Sequence, residues 1–319
     1  MSAAVLAAHG LTKRFRLGLF GGGALVHAVE SVSFAVAQGA TLGIVGESGC
    51  GKSTLGRVVA GLVPPTSGTV EIEGLRVSTP RETARHLRGH VQMVFQDPAS
   101  SLDPRMRVGA SIAESLPGAS SRSGVELVLE MLARVGLPGR AARSFPHELS
   151  IGQRQRACIA RALVGGQRVV VLDEVISALD PIVRAQVLEL LLRLQGDRGL
   201  AYLFISHDLF AVRAVSTHVG VMYLGELVEY APVGSFERHA LLHPYAVVLL
   251  SSRLEPQAGA ARAGQALQGD VPSPLARPAG CVFRTRCPIA RPVCAEERPP
   301  LREVRPGHLA ACHFPGEYT

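Results

Sequence analysis

Tryptophan is absent from the 319 residues, and aromatic residues make only 5% of the chain. That scarcity argues against the stacking platforms that hold single-stranded nucleic acid. Lysine is almost missing too. Lys13 and Lys52 are the two lysines, and every other member of the 33 basic residues is arginine. The arginines are spread evenly, which reflects codon bias more simply than a nucleic-acid patch, so the net charge of +7 implies no nucleic-acid partner. A cluster such as Arg81, Arg85 and Arg88 remains a candidate for meeting phosphates or an anionic membrane surface. Long apolar runs are also lacking. Runs such as Val169 to Leu172 and Ala246 to Leu250 fall far short of the ~20 residues that span a bilayer. The N-terminus has no basic region ahead of a long apolar segment, so a signal peptide is not expected. A cytoplasmic chain follows, with its six cysteines reduced.

What is present is globular. Hydrophobic residues make 47% and charged residues 18%, a balance that excludes general disorder. The length fits one large domain, or one plus an appendage. Short apolar strands alternate with helical segments from residue 41 to 205, and Val169–Leu172 is wholly apolar, like a strand buried on both faces. A parallel, doubly wound α/β core is expected, with 105–145 mostly helical around a polar Gly/Ser break at 117–124.

Gly46-Glu47-Ser48-Gly49-Cys50-Gly51-Lys52-Ser53-Thr54 follows a strand and opens a helix. It fits the phosphate-loop pattern G-x-x-x-x-G-K-[ST]. Glycines let backbone N–H groups converge on a phosphate, and the helix N-terminus adds positive potential. One of the two lysines, Lys52, stands where a long-stemmed point charge can bridge β- and γ-phosphates; Ser53 can ligate Mg²⁺. Cys50 reads as a small filler without a redox role. Downstream, Val169-Val170-Val171-Leu172-Asp173-Glu174 ends an apolar strand in two carboxylates. Asp173 suits a Mg²⁺ partner and Glu174 a general base for an attacking water.

With these motifs the chain resembles the ABC ATPase family. Leu149-Ser150-Ile151-Gly152-Gln153 looks like its LSGGQ signature, Gln96 like the Q-loop, Ser177-Ala178-Leu179-Asp180 like the D-loop, His207 like the switch histidine, and Phe15 like the adenine-stacking aromatic. The resemblance implies a nucleotide-binding domain over 1–254, with a parallel core, an antiparallel β subdomain and a helical subdomain at about 97–164. It implies ATP and Mg²⁺ (Ser53, Gln96, Asp173) held by one subunit's phosphate loop and closed by the other's Ser150, Gly152, Gln153 and Asp180, with Glu174, His207 and Gln96 catalytic.

The C-terminal part narrows the resemblance. His243-Pro244-Tyr245-Ala246, Pro272-Ser273-Pro274, Cys281-Val282-Phe283-Arg284-Thr285-Arg286-Cys287-Pro288 and Ala311-Cys312-His313 resemble the oligopeptide/dipeptide and nickel importer subfamily. Residues 255–280 read as an Ala/Gly/Gln/Pro linker, and 281–319 as a Cys-rich tail too poor in apolar residues for its own core. Cys281, Cys287, Cys294 and Cys312 have spacing that leaves iron–sulfur, zinc and free thiols open. The subfamily resemblance favours a [4Fe–4S] cluster, with Zn²⁺ the alternative. The same resemblance implies a peripheral motor on the cytoplasmic face of the inner membrane. Its partners would be two transmembrane permease subunits, a second, non-identical ABC ATPase and an extracytoplasmic solute-binding protein. Peptides are the first substrate class and nickel or another small solute the second. A soluble ABC ATPase of DNA repair, translation or cluster assembly is the rival class. The short spacing between phosphate loop and signature, the single ATPase domain and the cysteine tail each count against it. A regulatory subunit that binds ATP without hydrolysing it is a third reading, opposed by Glu174 and His207.

Two positions depart from the family. Ile151 stands where the first signature glycine is usual, and Val175 where proline usually follows the glutamate. A β-branched residue adds bulk and stiffens the backbone near a partner's phosphate. Such a chain fits an asymmetric heterodimer in which the site completed by Ile151 is the slower one. Ile151→Gly is therefore expected to raise ATP turnover of the assembled complex; unchanged steady-state turnover removes the idea.

Overall fold

The computed structural model describes residues 4–17, 23–77, 87, 89–116, 121–237, 239–251 and 272–318. Arg81, Arg85 and Arg88, Gly21 and Gly22, and 255–271 of the expected linker lie outside them. Two long antiparallel strands, β1 (Ala4–Arg16) and β2 (Leu25–Ala37), precede β3 (Thr41–Val45). The phosphate loop leads into α1 (Lys52–Val59), then β4 (Ser67–Ile72), β5 (Leu75–Val77) and β6 (Val91–Val94). A helical region follows: α2 (Pro98–Ser101), α3 (Val108–Ala113), α4 (Arg122–Arg134) and α5 (Ile151–Leu163). The chain then returns through β7 (Val169–Asp173), α6 (Pro181–Arg198), β8 (Ala201–Ile205), α7 (Leu209–Val215), β9 (His218–Tyr223) and β10 (Glu226–Pro232). Last come α8 (Pro244–Ser251), α9 (Val293–Glu296), β11 (Arg302–Arg305) and β12 (His308–Ala310).

The described strands form two sheets. One, β2-β1-β4-β5, is antiparallel; the other runs β11-β12-β10-β9-β3-β8-β7-β6. In the second, β9, β3, β8, β7 and β6 are parallel, whereas β10, β12 and β11 are antiparallel. The sheet is thus mixed rather than wholly parallel. Its parallel strands are buried along their length, and their alternation divides the core. Val169 and Val171 of β7 face a cluster with α1 and the antiparallel sheet; Val170 and Leu172 face a second cluster with the helical region. The apolar run Ala246–Leu250 is a buried core helix. No helix among the described residues is long and apolar enough to cross a membrane.

Local signals set the helix ends. Ser121 Oγ accepts the Gly124 N–H, so residues 122–124, expected as part of a polar break, instead open α4. Asp180 Oδ1 accepts the N–H groups of Ile182 and Val183 with Pro181 in the first turn, and Gly199, at φ 62, ends α6.

The cysteine-bearing tail has no core of its own. Cys281, Val282, Phe283 and Cys294 join the cluster shared with the main sheet, and β12 pairs with β10. Glu229, wholly buried on β10, ties the tail down. Its carboxylate accepts the N–H groups of Leu242 (2.9 Å) and His243 (2.8 Å), and lies 2.6 Å from His308 Nε2 on β12. Glu229→Ala would leave three buried polar groups without their partner. A loss of about 3–5 kcal/mol is expected in chemical denaturation; a loss below about 1 kcal/mol would show that the clamp bears little load.

Candidate functional site

Strand β3 delivers the chain to the phosphate loop at the carboxyl end of the parallel strands. Two glycines in the loop cannot carry a side chain. A Cβ on Gly51, at φ 107, would lie 2.0 Å from the Ala28 carbonyl oxygen; one on Gly46, at φ 155, would lie 2.2 Å from that of Met222. The loop is therefore pressed between β2 and the β9–β10 hairpin, and its backbone turns toward the start of α1.

Lys52 is nearly buried. Its ammonium donates to the carbonyls of Gly46 and Glu47, both at 2.9 Å. Ser53 Oγ donates to Asp173 Oδ1 at 2.9 Å. Burial raises the Asp173 pKa, opposed by that hydrogen bond and by the charges of Arg57 and Lys52. A desolvated carboxylate beside a hydroxyl is a donor set that favours a hard cation such as Mg²⁺. Glu174 follows at φ 52, a strained conformation for a non-glycine residue. Its N–H donates to the Ile205 carbonyl, which fixes the turn, and its Oε2 lies 2.6 Å from His207 Nδ1.

A cavity of about 620 Å³ opens over this loop. Phe15, Ser48, Gly49, Gly51, Lys52, Ser53, Thr54, Gln96, Glu174 and His207 are among the residues that line it. Its depth and charge suit a nucleoside triphosphate: an aromatic at one end, converging amides and an ammonium at the other. Phe15 is 38% exposed, and Lys13 Nζ sits 4.9 Å from its ring centre. Gly46, Glu47 and Cys50 stand behind the lining, and Asp173 reaches the cavity through Ser53. Burial raises the Cys50 thiol pKa, which agrees with a filler.

Ser150, Gly152, Gln153 and Asp180 are not brought to this cavity. Ser150 and Gln153 make a capping box on α5: the Gln153 N–H donates to Ser150 Oγ (3.3 Å) and the Ser150 N–H to Gln153 Oε1 (3.0 Å). Because Ser150 Oγ accepts from the helix, its proton is free to point outward. Ile151 is half exposed, and a Cβ on Gly152 would meet Val183 at 2.6 Å. The capped start of α5 thus lies outside the lining of this chain's own cavity.

Three lining residues were not among the expected site residues: Val26, Ala28 and Pro274. The first two are strand residues without a chemical signature. Pro274 lies in the segment read as linker, yet its carbonyl accepts the His27 N–H (3.4 Å). Tyr245 lies in the segment His243-Pro244-Tyr245-Ala246 that resembles the importer subfamily, but it was not among the expected site residues; its hydroxyl accepts the Glu47 N–H at 2.8 Å.

The expected metal shell of the tail is not formed. Among the described residues no three His, Cys, Asp or Glu side chains are grouped to hold a metal ion. The four cysteines are neighbours, since Cys281, Cys287 and Cys294 each raise the Cys312 pKa; Cys281, Cys287 and Cys294 pack with the main apolar cluster, and Cys312 is itself buried. Burial raises the pKa of the Cys281, Cys287 and Cys312 thiols, pushing Cys287 and Cys312 up to about 11. The donor arrangement therefore does not fit the [4Fe–4S] or Zn²⁺ group expected from the resemblance.

Comparison with known proteins agrees with this geometry. The profile described as ABC transporter matches residues 29–177, and that described as oligopeptide/dipeptide transporter, C-terminal region, matches 228–294. A putative oligopeptide transport ATP-binding protein of Bacillus subtilis, YkfD, is 46% identical over 91% of this chain and 90% of its own. A putative peptide import ATP-binding protein of Brucella abortus is 47% identical over 92% of this chain and 88% of its own. Among solved structures, a dimeric ATP-binding cassette in a post-hydrolysis state with ADP and Pi superposes with a TM-score of 0.62 at 26% identity. The match covers 72% of this chain and 98% of that one. With the phosphate loop, the paired carboxylates and the signature helix in place, the chain belongs to the ATP-hydrolysing, ATP-binding proteins of ABC transporters.

Proposed function

We propose that the chain is the motor subunit of a membrane importer of di- and oligopeptides. The ATPase half of this reading rests on one constellation: Lys52, Ser53, Asp173, Glu174 and His207 around a single cavity. The substrate half rests on the match of residues 228–294 to the oligopeptide/dipeptide transporter C-terminal region and on relatives named for peptide import. Nickel and other small solutes are the alternative cargo. Residues 1–254 act as the nucleotide-binding domain, with the helical subdomain at about 97–164, and 281–319 as a tail docked on it.

In this reading Phe15 stacks on adenine and Lys52 neutralises the β- and γ-phosphates. Ser53, Gln96 and Asp173 would hold Mg²⁺, which supplies charge neutralisation on the phosphate oxygens when bound. Glu174 accepts a proton as water attacks the γ-phosphorus; the bond to the bridging oxygen breaks, leaving ADP and phosphate. His207, paired with Glu174, orients that carboxylate toward the water. Ser150, Gly152, Gln153 and Asp180 close the site of a second ATPase subunit, non-identical to this one given Ile151. Two permease subunits carry the solute path, a solute-binding protein feeds them, and the chain lies on the cytoplasmic face of the inner membrane. Ser150, Gly152, Gln153 and Asp180 do not line this chain's own cavity, which supports their closing a partner's site.

Glu174→Gln keeps the side chain's shape but cannot take the proton. It is expected to slow hydrolysis by about 10²–10⁴-fold while ATP still binds; turnover near that of the parent chain takes the base role from Glu174. The whole reading is tested by affinity purification from detergent-solubilised native membranes. Two multi-span permeases, a second ABC ATPase and a peptide-binding protein are expected to co-purify. Recovery of soluble partners alone overturns the transporter reading. In the same preparation, made anaerobically, stoichiometric iron with sulfide would support a cluster in the tail; a sample free of iron and zinc leaves packing as the cysteines' role.

A further inference from the structure

Glu47 occupies a position that the phosphate-loop pattern leaves open, yet all three of its polar groups are engaged. Its N–H donates to Tyr245 Oη at 2.8 Å. Its carbonyl accepts from Lys52 Nζ at 2.9 Å. Its carboxylate is gripped at both oxygens by Arg286, with Nη1 at 2.7 Å and Nη2 at 3.1 Å. Arg286 comes from the tail, 239 residues further along the chain, and its side chain is only 5% exposed. Its guanidinium also reaches the Tyr223 hydroxyl at 3.5 Å. The two-toothed contact with Glu47 is the strong form of a charged hydrogen bond.

The backbone side of Glu47 is braced by the same tail segment. Phe283 is fully buried and packs against Tyr245 (5.4 Å between ring centres) and edge-on against Tyr223 (5.3 Å). Tyr245, itself fully buried, thereby holds its hydroxyl on the Glu47 N–H. Pro274 also joins the cavity lining, its carbonyl accepting the N–H of His27, next to the Val26 that pairs with Phe15, and Arg277 anchors that stretch by donating to Glu226. The tail thus contributes to the cavity lining and to the hold on the phosphate loop.

We propose that Arg286 is a positioning residue for the phosphate loop: with Phe283 it fixes Glu47, and through the Glu47 carbonyl it sets where Lys52 rests. The C-terminal tail is then part of the nucleotide site, and its placement tunes ATP affinity. This inference rests on the reading of the Lys52 cavity as the ATP site. Loss of the grip frees Glu47 to move and weakens nucleotide binding; it leaves Glu174 and His207 untouched.

The test is equilibrium binding of a fluorescent ATP analogue to the full chain, with ATPase kinetics on the assembled complex. Arg286→Gln and Glu47→Gln are each expected to weaken analogue binding by about tenfold or more. The double variant is expected to bind no more weakly than the worse single one, because one interaction is lost only once. Arg286→Lys restores part of the affinity, and KM for ATP rises more than kcat falls. Tyr245→Phe removes only a hydroxyl and serves where an Arg286 variant fails to fold; it is expected to weaken binding about threefold to tenfold. Additive losses in the double variant, or unchanged affinity in folded Arg286→Gln or Tyr245→Phe, overturn the proposal. Lys52→Ala separates the two readings. If it abolishes analogue binding while Arg286→Gln does not alter it, only the positioning role falls. If Lys52→Ala binds like the parent chain, the ATP site itself is misplaced and the proposal falls with it.

Discussion

The fold is arranged around a loop with no room to move. Gly46 lies against the Met222 carbonyl and Gly51 against that of Ala28, at spacings that exclude any Cβ. Those two contacts come from opposite sides, one from the β9–β10 hairpin and one from β2. Strands from both sheets thus crowd the loop's backbone and fix its path. Lys52 can then be buried with its charge directed along the loop, and Ser53 can reach Asp173 from the neighbouring part of the main sheet. A shift of either sheet would move ammonium and hydroxyl together. Geometry rather than any single charge is the resource here.

The chemistry-bearing residues were legible because each sits in a short pattern with a physical reason. Val169–Asp173 is buried on both faces, so an unbroken apolar run could only end at the sheet's edge, and its two carboxylates had to emerge there. Ser150 before α5 was legible in the same way, as a cap. The parallel core was visible through its apolar runs. The antiparallel additions were not. β10 includes buried Glu229, and β11 carries arginine and glutamate, so neither shows the alternation of an ordinary half-buried strand. Their pairing depends on contacts across the fold, such as Glu229 with His308, which no local window contains.

The tail shows the limit of motif reading most clearly. Four cysteines drew attention because they are rare and clustered, and they proved to be packing groups in this structure. Between them, Phe283 and Arg286 carried no expected chemical role, yet Arg286 reaches Glu47 of the phosphate loop and Phe283 packs against Tyr245, which also holds Glu47. Spacing reports on chemistry only when the ligands come from one local segment. Here the functional contact joins positions 47 and 286, and an arginine among so many arginines has no local mark. Ile151 is the converse case. It breaks a familiar pattern, and its exposure puts that break on the surface where a partner would sit.

The Arg286–Glu47 contact also has a consequence for how the protein is made. The phosphate loop leaves the ribosome 239 residues ahead of the arginine that grips it. At ~5–20 residues per second, that delay is roughly 12–48 s. In that interval β3 and α1 can fold against β2, yet the loop lacks its outer hold. A nascent chain can therefore have a recognisable nucleotide-binding core long before it has a finished one, and a motif made early in synthesis is among the last parts of the molecule to mature.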